Sequence, residues 1–155
     1  MANTQALCSS FKRELLEGIH AFCPGTGVPA RVVSTPDVLK AALYLTTATV
    51  NAATTAYSAT GELAASGNYA AGGATVTAAS APTLDGTTGI FTPSASLVWA
   101  ALTSSGAFDA VLIYNSSQGN KAVSVHTFGS QSIVAGTFTL TMPAHAAATA
   151  LIRIA

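Results

Sequence analysis

The sequence predicts an all-β fold, an antiparallel β-sandwich of jelly-roll or Greek-key type, preceded by an N-terminal amphipathic helix and an extended arm. Three observations carry this expectation. Short alternating or continuous apolar runs recur along most of the chain, separated by turn signals about every eight to twelve residues. Helical spacing occurs in a single stretch near the start. A proline- and glycine-rich segment then divides the chain into a helix and arm over 1–36 and a sandwich domain over 37–155.

The helical stretch is TQALCSSFKRELLEGIHAF. Leu7, Phe11, Leu15, Ile19 and Phe22 fall three or four positions apart and form one apolar stripe. Asn3 or Thr4 can cap its start, Pro24-Gly25 is a stop signal, and Lys12, Arg13, Glu14 and Glu17 supply the polar side. Such a helix either packs over its own sheet or lies on a neighbouring molecule, and the stripe fits both. The segment that follows, PGTGVPARVVSTP, holds three of the six prolines and reads as an extended arm.

β character begins at DVLKAALYL, where Leu39, Ala41, Leu43 and Leu45 alternate with Val38, Lys40, Ala42 and Tyr44. Residues 46–80 are small and nearly chargeless, with Glu62 the sole charge and Gly61, Gly67, Gly72 and Gly73 marking turns. A long ordered loop is expected there, with a short strand at 74–78. Its ordering costs backbone entropy while burying few large side chains, so the loop is expected to be pinned against another surface. Further strands are predicted at 89–91 and at 95–102, the latter holding the only tryptophan, Trp99.

The C-terminal third is the most regular. An apolar strand at 110–115, a turn at 116–120 containing Gly119, and a strand at 121–128 form a hairpin. In TFTLTM, Phe138, Leu140 and Met142 point one way and Thr137, Thr139 and Thr141 the other, until Pro143 ends the strand. ALIRIA closes the fold, with Ile152 and Ile154 opposite Arg153.

Composition bounds function. The chain has 155 residues, 50% hydrophobic and only 8% charged, against a usual charged share of about a quarter. Much of the hydrophobic count is alanine, which buries little area. A surface of Ala, Thr, Ser and Gly at zero net charge tends to associate, which predicts a subunit of an assembly. A monomer of the same composition is the plainer alternative. The six Lys and Arg form no basic patch, so no nucleic-acid partner is expected. No apolar run is long enough to span a bilayer, so no membrane association is expected, and no secretory signal is read at the start. Cys8 and Cys23 on one helix would stand about 22 Å apart, beyond the roughly 7 Å reach of a disulfide, and free buried thiols are expected.

The stretch FDAVLIYNSSQGNKAVSVHTFG gathers Asp109, Ser116, Ser117, Lys121, Ser124 and His126. Yet the chain contains no G-x-S-x-G, and this stretch contains no S-x-x-K. His20, His126 and His145 lack a nearby second ligand, and no C-x-x-C, H-E-x-x-H or phosphate-cradling glycine motif occurs. The prediction is therefore a protein that is not an enzyme, with no catalytic, cofactor or metal site. The triplet Asn115-Ser116-Ser117 matches a glycosylation sequon and is taken as coincidence.

The order of segments resembles a family of small structural proteins of tailed-bacteriophage virions. KAALYLTTATVNA, TTAYSATGELAASGNYAAGG, the hairpin and the final TFTLTMPA with ALIRIA carry the resemblance, over 38–155. Its most telling pieces are Tyr57 with Gly61-Glu62, Tyr69 with Gly72-Gly73, LIYN at 112–115 and the terminal LIRIA. The resemblance implies a virion component assembled in the bacterial host cytoplasm, and it carries over no catalytic residue. The leading expectation is a capsid decoration or cement protein whose partners are the major capsid protein and copies of itself. Its candidate interface residues are Leu7, Phe11, Leu15, Ile19, Phe22, Tyr57 and Tyr69. A tail or head-to-tail connector component is the alternative. A carbohydrate-binding host-attachment module is a third reading and requires a cluster of solvent-facing aromatic rings.

Overall fold

A computed structural model describes residues 2–22, 36–77, 81–93 and 95–155. Most of the predicted arm, including Cys23, lies outside them. The helix is shorter than its stripe suggests. Strand β1 (Ala6–Leu7) precedes helix α1 (Ser9–Leu16). Leu7 belongs to the strand because Ala6 and Leu7 pair with Val125 and Ser124. Cys8 then turns the chain, its amide bonded to the Val123 carbonyl at 3.0 Å. Asn3 and Thr4 are thus too early to cap α1, whose start has no side-chain cap. At the other end Gly18 takes a φ of 66°, a left-handed conformation that stops the helix before Ile19 and Phe22.

The remaining strands are β2 (Leu39–Leu45), β3 (Ala74–Val76), β4 (Thr83–Asp85), β5 (Thr88–Phe91), β6 (Leu97–Leu102), β7 (Phe108–Asn115), β8 (Lys121–Gln131), β9 (Gly136–Leu140) and β10 (Ile152–Ile154). The fold is all-β with antiparallel pairing. Five strands form one sheet in the order β1-β8-β7-β2-β3, three form β10-β5-β4, and two form β6-β9. β4 was not expected, since its three residues show no alternation long enough to read.

The large sheet is the centre of the molecule. β7 and β8 form the predicted hairpin, closed by a 3-10 turn at Ser116–Gln118 and by Gly119 and Asn120 at left-handed φ of 65° and 60°. β2 lies beside β7, with Ala42 opposite Leu112 and Leu43 opposite Val111. Ala41, Ala42, Leu43 and Tyr44 are all buried, so both faces of this strand are covered. That explains its continuous rather than strictly alternating apolar character.

The loop over 46–73 lies on this chain's own sheet. Its backbone bonds to β2 through Leu63 N and Leu43 O at 2.8 Å, and to the hairpin through Tyr57 N and Asn120 O at 2.9 Å. Gly73 completes the approach. Its φ is 71°, and a Cβ there would fall 1.8 Å from the Ala41 carbonyl oxygen.

The β6-β9 ribbon attaches through aromatic rings. Phe138 stacks on Trp99 at 5.9 Å and meets Phe108 edge-on at 5.0 Å and Phe128 at 5.3 Å. Phe138 and Leu140 are half-buried while Thr137 and Thr139 are exposed, as the alternation predicts. Among the described residues no helix is long and apolar enough to cross a membrane.

Candidate functional site

Two carboxylates organise the polar interior. The first is Glu14, on the buried side of α1 at 2% exposure. Its Oε1 accepts from Lys121 Nζ at 2.9 Å and its Oε2 bonds His20 Nε2 at 3.0 Å. His20 Nδ1 meets Asn115 Nδ2 at 3.0 Å, and the same amide donates to Asp37 Oδ2 at 2.7 Å. Asn115 Oδ1 is occupied by the Ser117 amide at 3.1 Å. Its NH₂ therefore faces His20 and Asp37, and in this arrangement His20 accepts at Nδ1 and donates from Nε2 to Glu14. Gln118 and the Ala21 amide complete Asp37, at 2.9 and 2.8 Å. Burial by itself raises both carboxyls. The bonds from Lys121 and His20 on Glu14, and from Asn115, Gln118 and Ala21 on Asp37, outweigh it and hold both below their ordinary values.

This cluster fastens the N-terminal segment to the hairpin. Asn115 is fully buried with its amide nitrogen doubly engaged, so the sequon there has no acceptor to offer. A second tie holds the chain start: Asn3 donates to Asp109 at 2.6 Å and to the Leu45 carbonyl at 3.0 Å.

The second carboxylate is Glu62, which draws together all four tyrosines. It accepts from Tyr57 at 2.6 Å, from Tyr69 at 2.7 Å and from the Gly72 amide at 2.7 Å. Tyr114 donates to the Gly72 carbonyl at 2.7 Å and stacks on Tyr57 at 4.7 Å, while Tyr44 donates to the Ser58 carbonyl. Burial raises the tyrosine hydroxyls, and their bonds to or proximity to the Glu62 charge raise them further; Tyr44 reaches about 12. The sole charge of the loop is thus its anchor.

The polar residues of the hairpin do not converge. Asp109 is engaged with Asn3, Lys121 with Glu14, and Ser116 and Ser117 with the backbone of Val38. His126 bonds Ser124 at 2.9 Å, but Ser124 is 1% exposed and unavailable as a nucleophile. Burial lowers His126 to about 4, so it is a neutral imidazole. It lines a cavity of about 340 Å³ with Gln5, Met142, Leu151 and Arg153. No group of three His, Cys, Asp or Glu placed to hold a metal occurs among the described residues. Cys8 is free and buried, and burial raises its thiol to about 11.

Of the candidate interface residues, Phe11 and Tyr69 are spent in this chain's own core, at 0% and 2% exposure. Neither has surface left for a partner. Leu7, Leu15, Phe22 and Tyr57 are partly buried against that core, and Ile19 is half-buried. Sequence reasoning missed the apolar residues that do face solvent: Leu16 at 91%, Val134, Leu84 at 76%, Val98 and Ile154 at 54%. Leu16 carried a legible signal, because it falls one position off the apolar stripe and so points away from the core. Compared with protein-family models, characterised proteins and solved structures, the chain gives no match.

Proposed function

We propose that this chain is a structural virion protein of a tailed bacteriophage, a capsid decoration or cement protein that binds across capsid subunits and to its own copies without catalytic chemistry. The observation supporting an assembly role is the surface. A chain with only six basic and six acidic residues, net charge zero, exposes Leu16, Leu84, Val98, Val134 and Ile154. The order of segments described above supports the phage assignment. In this reading the sheets pack as a β-sandwich of jelly-roll or Greek-key kind, supported by the ring contacts of Phe138 with Trp99, Phe108 and Phe128. The carbohydrate-binding reading receives no such support, since Trp99 and Tyr69 are buried and Tyr57 is bound to Glu62.

A reconstruction of the intact particle tests the proposal. Copies on the outer face of the head, spread across capsomer seams, are the expected result. A location confined to the tail or to a single ring at the portal sinks the decoration reading in favour of a connector, and absence from particles sinks both.

A further inference from the structure

We propose that the cavity over the β7-β8 hairpin binds a small uncharged molecule, an apolar body carrying one carbonyl oxygen that the ring of His126 holds. The exposed apolar residues behind the assembly reading do not line this cavity, and neither reading depends on the other.

The cavity exists because the layer that covers the hairpin is split. The β6-β9 ribbon has β9 at one edge, the three-stranded sheet has β10 at one edge, and no ladder joins the two. The opening has a volume of about 340 Å³, lined by Leu140 and Met142 from the end of β9 and by Leu151 from the approach to β10. Beneath it lies one face of the hairpin, where Val111 stands opposite His126 and Ile113 opposite Ser124. Phe128, Leu140, Met142 and Leu151 are only half-buried, so apolar surface remains for an occupant to cover. The volume is at the lower end of the ~300–1,000 Å³ typical of ligand sites, which limits the occupant to about one ring with a short substituent.

His126 supplies the polar contact. Its Nε2 bonds Ser124 Oγ at 2.9 Å, and Ser124, at 1% exposure, has no other side-chain bond among the described residues. If Nε2 donated, the buried hydroxyl hydrogen would be left without an acceptor. Satisfying both groups requires Ser124 to donate to Nε2, which places the ring hydrogen on Nδ1. Nδ1 has no partner among the described residues, where the one enclosed side-chain polar atom without a bond is Ser10 Oγ. Nδ1 is thus open, and it offers the cavity one N–H on a ring that a buried hydroxyl keeps in place.

The lining selects against ions. Burial keeps the imidazole neutral, and Arg153, the remaining ionisable group, is turned onto the Ala147 and Ala148 carbonyls. No carboxylate lines the cavity. An ammonium group would meet the N–H with its own hydrogens, and a carboxylate would give up its hydration for a single hydrogen bond. A carbonyl oxygen on an apolar body meets neither obstacle.

Titration of the full chain with acetophenone at pH 7, followed by ¹H–¹⁵N amide shifts, tests this. Ethylbenzene supplies the same body without the oxygen, and benzoate supplies a charged counterpart. Acetophenone is expected to shift amides within 126–128, 140–142 and 151–153 saturably, in the millimolar range. Ethylbenzene and benzoate are each expected to bind about tenfold more weakly. His126→Phe keeps the ring and removes the N–H, so it should abolish the preference for acetophenone over ethylbenzene. Met142→Trp fills the cavity from a half-buried position and should remove binding of all three; circular dichroism melts check that both variants fold. The wild type gives a readout that needs neither variant: ring ¹⁵N shifts should report His126 as the Nδ1–H tautomer, moved by acetophenone and left in place by ethylbenzene. No saturable shift, equal affinity for acetophenone and ethylbenzene, or a ring hydrogen on Nε2 overturns the inference.

Discussion

Replacing Glu62 by Ala removes one side chain and strands three donors. Tyr57, Tyr69 and the Gly72 amide all point at its carboxylate, at 2.6 to 2.7 Å. A hydrogen bond to a charged group contributes about 1.5–3 kcal/mol net. Three of them set an upper limit near 5–9 kcal/mol, reduced because the bonds share one acceptor and Glu62 is only half-buried. A loss of about 3–5 kcal/mol is expected. Glu62→Gln keeps the shape and a neutral acceptor, and should lose about half as much. The assay is urea unfolding at pH 7, read by tyrosine and tryptophan fluorescence together, because Tyr69 lies 5.9 Å from Trp99. A loss below about 1 kcal/mol for the alanine variant, or equal losses for the two variants, would refute the idea that this carboxylate pins the loop.

Acid should act through the other carboxylate cluster. Glu14 and Asp37 titrate below the ordinary values of 4.5 and 3.8 in the folded chain, so the stability they contribute is present above those values and disappears as pH falls through the lowered ones. Glu14→Gln is expected to cost about 2 kcal/mol at pH 7 and progressively less toward pH 3, measured by urea midpoints across that range; a gap that stays constant with pH contradicts the assignment. Gly73→Ala should destabilise by about 3 kcal/mol or more, since the new Cβ must displace the Ala41 carbonyl and break the β2-β3 pairing. Gly129→Ala, where nothing lies within 4 Å of the new carbon, is the control and should leave the melting temperature nearly unchanged.

The legible parts of this fold are those where the pattern is local. The hairpin, β2 and β9 each announce themselves through a run of apolar residues bounded by turn residues, and the structure places them close to where the pattern does. The N-terminal stripe misleads because spacing of three or four positions reports a common side rather than a common helix. Leu7 and Phe22 do pack against the core, but from a strand and from a segment beyond Gly18. The carboxylate clusters were not legible as such. Glu62 stood out as the lone charge of its loop, yet nothing in its surroundings named its partners. Glu14 looked like solvent-facing polarity on a helix, and its partner Lys121 lies 107 positions away. A buried charge is recognisable only once its counter-charge is in place, and that depends on topology rather than on composition.

The order β1-β8-β7-β2-β3 also sets a timetable for the chain as it is made. β1 and α1 dock on β8, so the earliest described segment completes its contacts only after a late hairpin has emerged. At a synthesis rate of about 5–20 residues per second, the 107 positions from Glu14 to Lys121 correspond to about 5–20 s. Throughout that interval Phe11 and Glu14 lack the strand that shields them. The nascent chain, more than the finished protein, is where misassociation threatens, and ribosome-proximal chaperones have their longest opportunity at residues 2–22.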